Sequence, residues 1–484
     1  MYIFSFHSSL VKVSALTIDK NGNVDDVGWA PYAWGTGLDG DRIWIRNDIT
    51  GNLSSMRISW SVNPVGGIRG ESSLPLAVDI DDDGSMEIIL TTGIRTVSVL
   101  DASDGGLLYS YDTVNMISEH AQPSVADVDL DGRLEILIGD GRRLSGHGLF
   151  YSLKLNPSLG KLIRLWSFHY EGSPDEYQQD SAKIGDFDGD GKPEVFFSTH
   201  DSTAQNGYVY MLNGEDGSKL WSVETPNYSL RGNGAYRING DSGNWLFYAG
   251  SKLLNRIYCW NNVGTLKYIT ALSGGKVHSS FVFFDYDHDG VYDVFNAYKG
   301  TDMPGRGWLF RMNPTSRVLE DNFEMPIGVE VSDASPVVFD GDQDGVAEIY
   351  VGTRSYLYVG EARNIAKQEA IIDEDGFASF IWVADINNDG RYEIISTSQD
   401  GGGRYLHVYS ADYYSLERRL YLNCAVPDYG RDLSAITLAD VDGDGYLEIL
   451  VTDSAPFSET IYMVDTDLSY LNLVTSMFQK YVER

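Results

Sequence analysis

The chain has 484 residues, 70 acidic against 36 basic, and a formal charge of −34. That balance excludes nucleic acid as a partner, because phosphate binding needs a basic footprint. Two distant cysteines, Cys259 and Cys424, exclude a disulfide framework, and no apolar run approaches the ~18 residues of a membrane-spanning helix.

The opening MYIFSFHSSL lacks the basic and apolar regions of an intact signal peptide. Residues 1–66 read as an N-terminal segment with a hairpin, DRIWIRNDITGNLSSMRISWSV (Asp41 to Val62), that carries no acidic loop. Residues 67–484 read as eight repeat units. Each of seven units contains D-x-D-x-D-G-x-x-E or a close variant. The ligand sets are Asp79, Asp81, Asp83 and Glu87; Asp127, Asp129, Asp131 and Glu135; Asp186, Asp188, Asp190 and Glu194; and Asp285, Asp287, Asp289 and Asp293. They continue as Asp340, Asp342, Asp344 and Glu348; Asp385, Asn387, Asp389 and Glu393; and Asp440, Asp442, Asp444 and Glu448.

The loops recur about every 50 residues, a repeat-protein period. The one gap of twice that length, between Asp186 and Asp285, predicts a unit without the loop near 231–270, around AYRINGDSGNWLFYAG. An apolar strand precedes each loop and another follows it. Two more flank a Gly-rich turn, as in GYVYMLNGEDGSKLWSVE. Four short strands per unit predict an all-β fold: a single β-propeller of eight blades, or seven if one unit is shared. The N-terminal hairpin then completes the last blade and closes the ring, leaving no open edge. A β-helix is the rival architecture.

Alternating aspartates around a glycine bend, closed by a fourth carboxylate, bring hard oxygen ligands together at a density that suits Ca²⁺. Up to seven ions are expected, with a structural role. Without a counterion, three or four carboxylates would sit together unneutralised.

These loops resemble the FG-GAP/VCBS repeat family over about Ser73 to Tyr481. The resemblance implies a calcium-loaded propeller, as in the integrin α head and many secreted bacterial proteins, and a secreted or periplasmic location. Ligands would bind on the face opposite the calcium turns. The loops assigned to that face offer His120, His147, His200, Arg231 and Tyr236 as catalytic candidates. Arg142, Arg143, Tyr177, Lys252, His278, Tyr298, Lys299 and Arg306 are the substrate-contact candidates.

Such an arc of His, Tyr and cations on an acidic body suits an anionic polysaccharide. In β-elimination on a uronate, a cation or imidazole neutralises the carboxylate next to the acidic C5 proton, and His or Tyr moves the protons. Hydrolysis would need a carboxylate pair at defined separation, and the face offers few carboxylates, which favours the lyase. In this the chain resembles the propeller-type polysaccharide lyases, the ulvan lyases in particular, acting as a monomer. Two alternatives are a non-catalytic calcium-dependent adhesin of integrin-α type and a quinoprotein-like enzyme suggested by DGSKLW. The latter would want an adjacent cysteine pair, which is absent.

Overall fold

Short strands associate in eight antiparallel sheets of four strand positions, as the repeat predicts, with the innermost strand broken into two pieces in the second and fifth. The computed structural model describes residues 56–466, apart from 65–66, 69–73, 119–120, 143–145, 202, 205, 226–229, 238–244, 252–254, 274, 278, 301–305, 326–330, 332–334, 354–355, 374–380, 385, 387–389, 401–402, 423–434, 440, 442–447 and 454–459. The blades span 76–112, 116–169, 176–225, 230–271, 275–324, 337–373 and 381–422, with 435–465 plus 57–62 as the eighth. The alternative of seven blades is set aside. The unit around 231–270 is a full four-stranded blade, although the connection at 238–244 lies outside the described residues.

Within a blade the strands follow chain order from the axis outward, and first strands of neighbouring blades lie against each other, blade 8 against blade 1 included. Position explains composition. Second strands such as EIILTT (Glu87–Thr92) are buried along their whole length, because another blade covers each face. Fourth strands such as Leu107–Asp112 and Leu266–Ala271 alternate in exposure, because one face looks outward. Each apolar cluster spans a blade boundary: Phe187, Phe196 and Met211 of blade 3 pack with Trp245, Phe247 and Trp260 of blade 4.

Of the hairpin read at Asp41 to Val62, residues 41–55 lie outside the described residues. Among the described residues, the single strand Arg57–Val62 pairs antiparallel with Thr460–Asp465 as the outermost strand of blade 8. The Arg57 guanidinium donates to Asp465 from Nε (3.0 Å) and Nη2 (2.7 Å).

The DGSKLW stretch is part of a docking device between blades. Trp60, Trp166 and Trp221, on outer strands of blades 8, 2 and 3, donate Nε1 to carbonyls of Ala102, Gly214 and Asn262 in the outer turns of the next blade (2.9, 2.7 and 2.8 Å). Each indole covers a glycine with positive φ: Gly105, Gly217 and Gly264. A Cβ at Gly217 would lie 2.5 Å from Trp166, so both space and conformation require glycine there.

The axis is filled by a polar knot. The innermost strand of blade 3 bulges: Gln179 opposes Ser198 and Lys183 opposes Phe196, leaving 180–182 pushed out of register. At its tip Asp180 takes φ of 71° and forms an isolated parallel bridge with Ala121 of blade 2. Its buried carboxylate accepts the backbone N–H of Asn233 (2.9 Å) and its neighbour Ser181 (2.8 Å), and the hydroxyl of Ser280. Asn233 returns a bond to the Ser181 carbonyl (3.1 Å), and Ser335 of blade 6 donates to the Ser280 carbonyl (3.2 Å). Buried Lys183 donates to the Ser181 hydroxyl (2.9 Å), and burial holds its ammonium pKa below the usual value.

Asp180→Ala would leave these buried donors unpaired and is expected to reduce unfolding free energy by about 3 kcal/mol or more. Asp180→Asn, which keeps an acceptor, should lose less. Urea unfolding of both variants measures this, and a wild-type midpoint for Asp180→Ala would mean that the knot is incidental.

Candidate functional site

Every described acidic loop joins the first two strands of its blade, at one end of the ring. Its backbone is organised by its own carboxylates. Asp79 accepts N–H from Asp83 (3.1 Å) and Gly84 (3.0 Å); Asp127 does so from Asp131 (3.1 Å) and Gly132 (2.9 Å), and Asp285 from Asp289 (3.0 Å) and Gly290 (3.1 Å). The closing glutamate accepts the N–H of the residue after the first aspartate. This bond recurs at Glu87 (2.9 Å), Glu135 (2.9 Å), Glu194 (2.6 Å), Glu348 (2.8 Å), Glu393 (3.0 Å) and Glu448 (2.8 Å). Gly84, Gly132, Gly191, Gly290 and Gly345 all have φ near +90°, and none of their Cβ positions would meet another atom within 4 Å where the surroundings are known, as at Gly84. The glycine is therefore required for its conformation, not for room.

The side chains converge on a cation-sized point. Ligand oxygens of Asp340, Asp342, Asp344 and Glu348 lie within 4.8 Å of one another. So do those of Asp79, Asp81 and Glu87; of Asp127, Asp129 and Glu135; of Asp186, Asp188 and Glu194; and of Asp285, Asp287 and Asp289. The third aspartate of each of these loops accepts the N–H two residues on, as at Asp83 from Ser85 (2.7 Å), Asp131 from Arg133 (3.1 Å), Asp190 from Lys192 (2.8 Å), Asp289 from Val291 (2.7 Å) and Asp344 from Val346 (2.8 Å); Asp83, Asp131 and Asp190 stay outside the groups. The fifth unit departs at its closing position. Asp293, a methylene shorter than glutamate, stays outside the group, with Oδ1 buried and lacking a hydrogen-bond partner. Asp385, Asn387, Asp389, Asp440, Asp442 and Asp444 lie outside the described residues.

Five such groups of all-oxygen donors could each hold a metal ion, and the donor set fits a hard divalent cation. With no cation present, burial and then the neighbouring carboxylates push Glu87 and Glu194 up to about 8, and Glu348 to about 9.

The opposite end carries the sequence-predicted contact residues unevenly. Tyr177, at the start of the innermost strand of blade 3, is the cross-strand partner of His200, and the rings meet edge to face at 5.1 Å. Tyr177 is buried and His200 half-buried. His147 is exposed in blade 2, and its carbonyl accepts the Asn115 amide (3.2 Å). By backbone position Arg142 ends the second strand of blade 2, Arg231 begins the first of blade 4, and Lys299 lies opposite Lys276 in blade 5. The side chains of Arg142, Arg231 and Lys299, and all of His120, Arg143, Lys252 and His278, lie outside the described residues.

Three placements differ from the sequence reading. Tyr236 is 2% exposed, stacks on Phe283, and accepts the Tyr292 N–H (3.3 Å) at the acidic-loop end. Tyr298 is buried against Trp308 and donates to Asn322 (2.6 Å). Arg306 is ion-paired with Glu324 across the outer strands of blade 5. In each case packing or a carboxylate partner already uses the group.

Buried carboxylates shape this end, and two of them, Glu176 and Asp140, are ones the sequence reading passed over. Glu176 accepts from the Thr199 hydroxyl, Tyr210 (2.7 Å) and the Gly172 N–H (2.6 Å), and burial pushes it up to about 7. Asp140 does the same work in blade 2 for the Asn115 N–H (2.7 Å), the Leu149 N–H (2.8 Å) and Tyr151 (2.6 Å). Asp201 accepts from Ser173 N–H (2.7 Å) and hydroxyl (2.7 Å). The aspartates near the ends of the second strands, in EILIGD and EVFFSTHD, were the available signal.

The fold and its rim of acidic loops define an eight-bladed β-propeller. It is similar to a quinohemoprotein alcohol dehydrogenase from Comamonas testosteroni (TM-score 0.62, 11% identity, covering 90% of this chain and 80% of that one). It is also similar to a europium-containing methanol dehydrogenase (TM-score 0.58, 11% identity, 90% and 98%) and to the rhamnogalacturonan lyase YesW (TM-score 0.54, 17% identity, 93% and 75%). At these identities the likeness shows the fold alone. No family model and no curated protein sequence matches the chain. No helix among the described residues is long and apolar enough to cross a membrane.

The raised glutamates set a pH dependence. An unfolded glutamate titrates near about 4.3, so between there and about 8 to 9 the cation-free folded state holds protons that the unfolded chain has released. In chelator the melting temperature should fall as pH rises through that window, and excess divalent cation should flatten the decline. A melting temperature in chelator that is level or rising over this range would contradict it.

Proposed function

We propose that the chain is a calcium-loaded FG-GAP/VCBS-type propeller, active outside the cytosol, that cleaves a uronate-containing polysaccharide by β-elimination. The observation that carries this is the sector of blades 2 to 5 opposite the acidic loops. There His147, the Tyr177–His200 pair and the backbone positions of Arg142, Arg231, Lys276 and Lys299 share one end of an otherwise acidic body. The rhamnogalacturonan lyase among the structural neighbours supports the reaction class, although the quinohemoprotein likeness is equally one of fold.

In this reading Arg142 and Arg231 neutralise the uronate carboxylate and thereby acidify the C5 proton. His200, or His120 from the preceding blade, takes that proton, and Tyr177 is placed to polarise His200 or to return a proton to the departing oxygen. Ca²⁺ would be held by the aspartates and glutamates of the loops and fix the ends of the inner strands. Those carboxylates are remote from the reacting sugar.

Calcium re-addition after chelation should restore the melting temperature and magnesium should not, since magnesium resists irregular cages of this kind. Equal rescue by both ions would remove calcium selectivity from the reading. The reaction itself is tested with a panel of uronate polymers, following the ultraviolet absorbance of the unsaturated product. His200→Ala and His120→Ala should each lower turnover by ~10² or more if the residue is an acid–base group, with the melting temperature little changed. Product formation unaffected by either variant would keep the lyase and discard this site. Polymer binding without any product would favour the adhesin.

A further inference from the structure

The second acidic loop differs from the others by one residue outside its motif. Lys154, on the third strand of blade 2, is the cross-strand partner of the closing glutamate, Glu135. The corresponding partners are Asp101 opposite Glu87, Asn213 opposite Glu194, Glu361 opposite Glu348 and Ser410 opposite Glu393. Among these positions only blade 2 carries a cation. The side chain is only 11% exposed, and its Nζ lies 2.9 Å from Asp129, 2.7 Å from Asp131 and 2.9 Å from Glu135. The ammonium, which has three N–H donors, donates to Asp129 and is ion-paired with Asp131 and Glu135 of the same loop.

We infer that Lys154 is the built-in cation of the second loop: its ammonium takes the place that a divalent ion takes in the sister loops, and the loop binds no metal unless that charge is removed. Asp129 and Glu135, two of the three residues that gather in this loop, both hold the ammonium. An ion coordinated by the same oxygens at about 2.3–2.6 Å would lie in contact with Nζ and repel it. Occupation is therefore exclusive. Blade 2, which contributes Arg142 and His147 to the opposite face, would keep its first turn closed at any calcium concentration.

The inference rests on reading the sister loops as metal sites, and the test separates the two. Metal content per chain is measured by mass spectrometry after equilibration with Ca²⁺ and desalting, for wild type and for Lys154→Asn, which gives loop 2 the residue that stands opposite Glu194 in blade 3. The variant is expected to hold one more ion than wild type. The wild-type count tests the sister loops; the difference tests Lys154, and a difference of zero overturns the inference. A second measurement needs no variant. Acetylation of wild-type lysines should leave Lys154 protected to the same degree in chelator and in excess Ca²⁺. Labelling of Lys154 that rises with calcium would show the ammonium displaced by the ion and overturn the inference equally.

Discussion

A blade of this ring must bury both faces of its inner strands, and only another blade can cover them. Residues such as Ile88, Ile136, Phe196 and Phe247 are wholly buried between sheets, and the sole bridge between strands of different blades among the described residues is Ala121 with Asp180. Sheet-to-sheet cohesion is therefore side-chain packing, which is non-directional. Direction comes from a few polar fixtures: the tryptophan N–H bonds at the outer rim, the Asp180 knot at the axis, and the acidic turns at one end. Each lies where apolar packing gives way to backbone that must change course.

The same constraint sorts the carboxylates into two kinds. Asp140 and the cross-strand neighbours Glu176 and Asp201 are each bonded by hydroxyls and backbone N–H groups, so each organises a loop without a cation. The carboxylates of the acidic turns are gathered in threes and fours, and the backbone bonds they accept leave oxygens aimed at a common point. Solvation cannot offset that much like charge at half-buried positions, so these turns depend on a positive partner. In the second turn that partner is the ammonium of Lys154 on the next strand.

The architecture was legible because the repeat is written in residues with few alternatives: glycine where φ must be positive, aspartate where a turn needs acceptors. Blade 4 was readable even without its loop, from spacing alone. The candidate site was less legible. Tyr236 and Tyr298 look the same in sequence as a tyrosine lining a cleft, and only Phe283 of the next blade, or Trp308 on the adjacent strand, shows them to be core. Arg306 counts as a free cation until Glu324 is placed beside it. Asp180, Lys154 and the docking of Trp221 rest on partners from other strands or blades, and no local pattern encodes them. DGSKLW pointed to a cofactor class, whereas its glycine and tryptophan take part in docking at two successive blade boundaries.

Blade 8 is assembled from the two ends of the described chain, with Arg57 and Asp465 separated by 408 positions. Seven blades can form as local meanders of consecutive strands, each soon after its own segment is available. The eighth cannot. It waits on a contact of very high sequence separation, whose loop-closure entropy must be met before any of its packing is gained. Until then blade 8 consists of the three strands of 435–465, and its outer edge stays open. The molecule should therefore fold in two kinetic regimes, a fast local one and a slow closing one, and should be most prone to self-association in the interval between them. Once closed, the seam between blades 8 and 1 is held by apolar packing, by the Trp60 dock and by the Thr437 hydroxyl bond to the Pro75 carbonyl (2.6 Å).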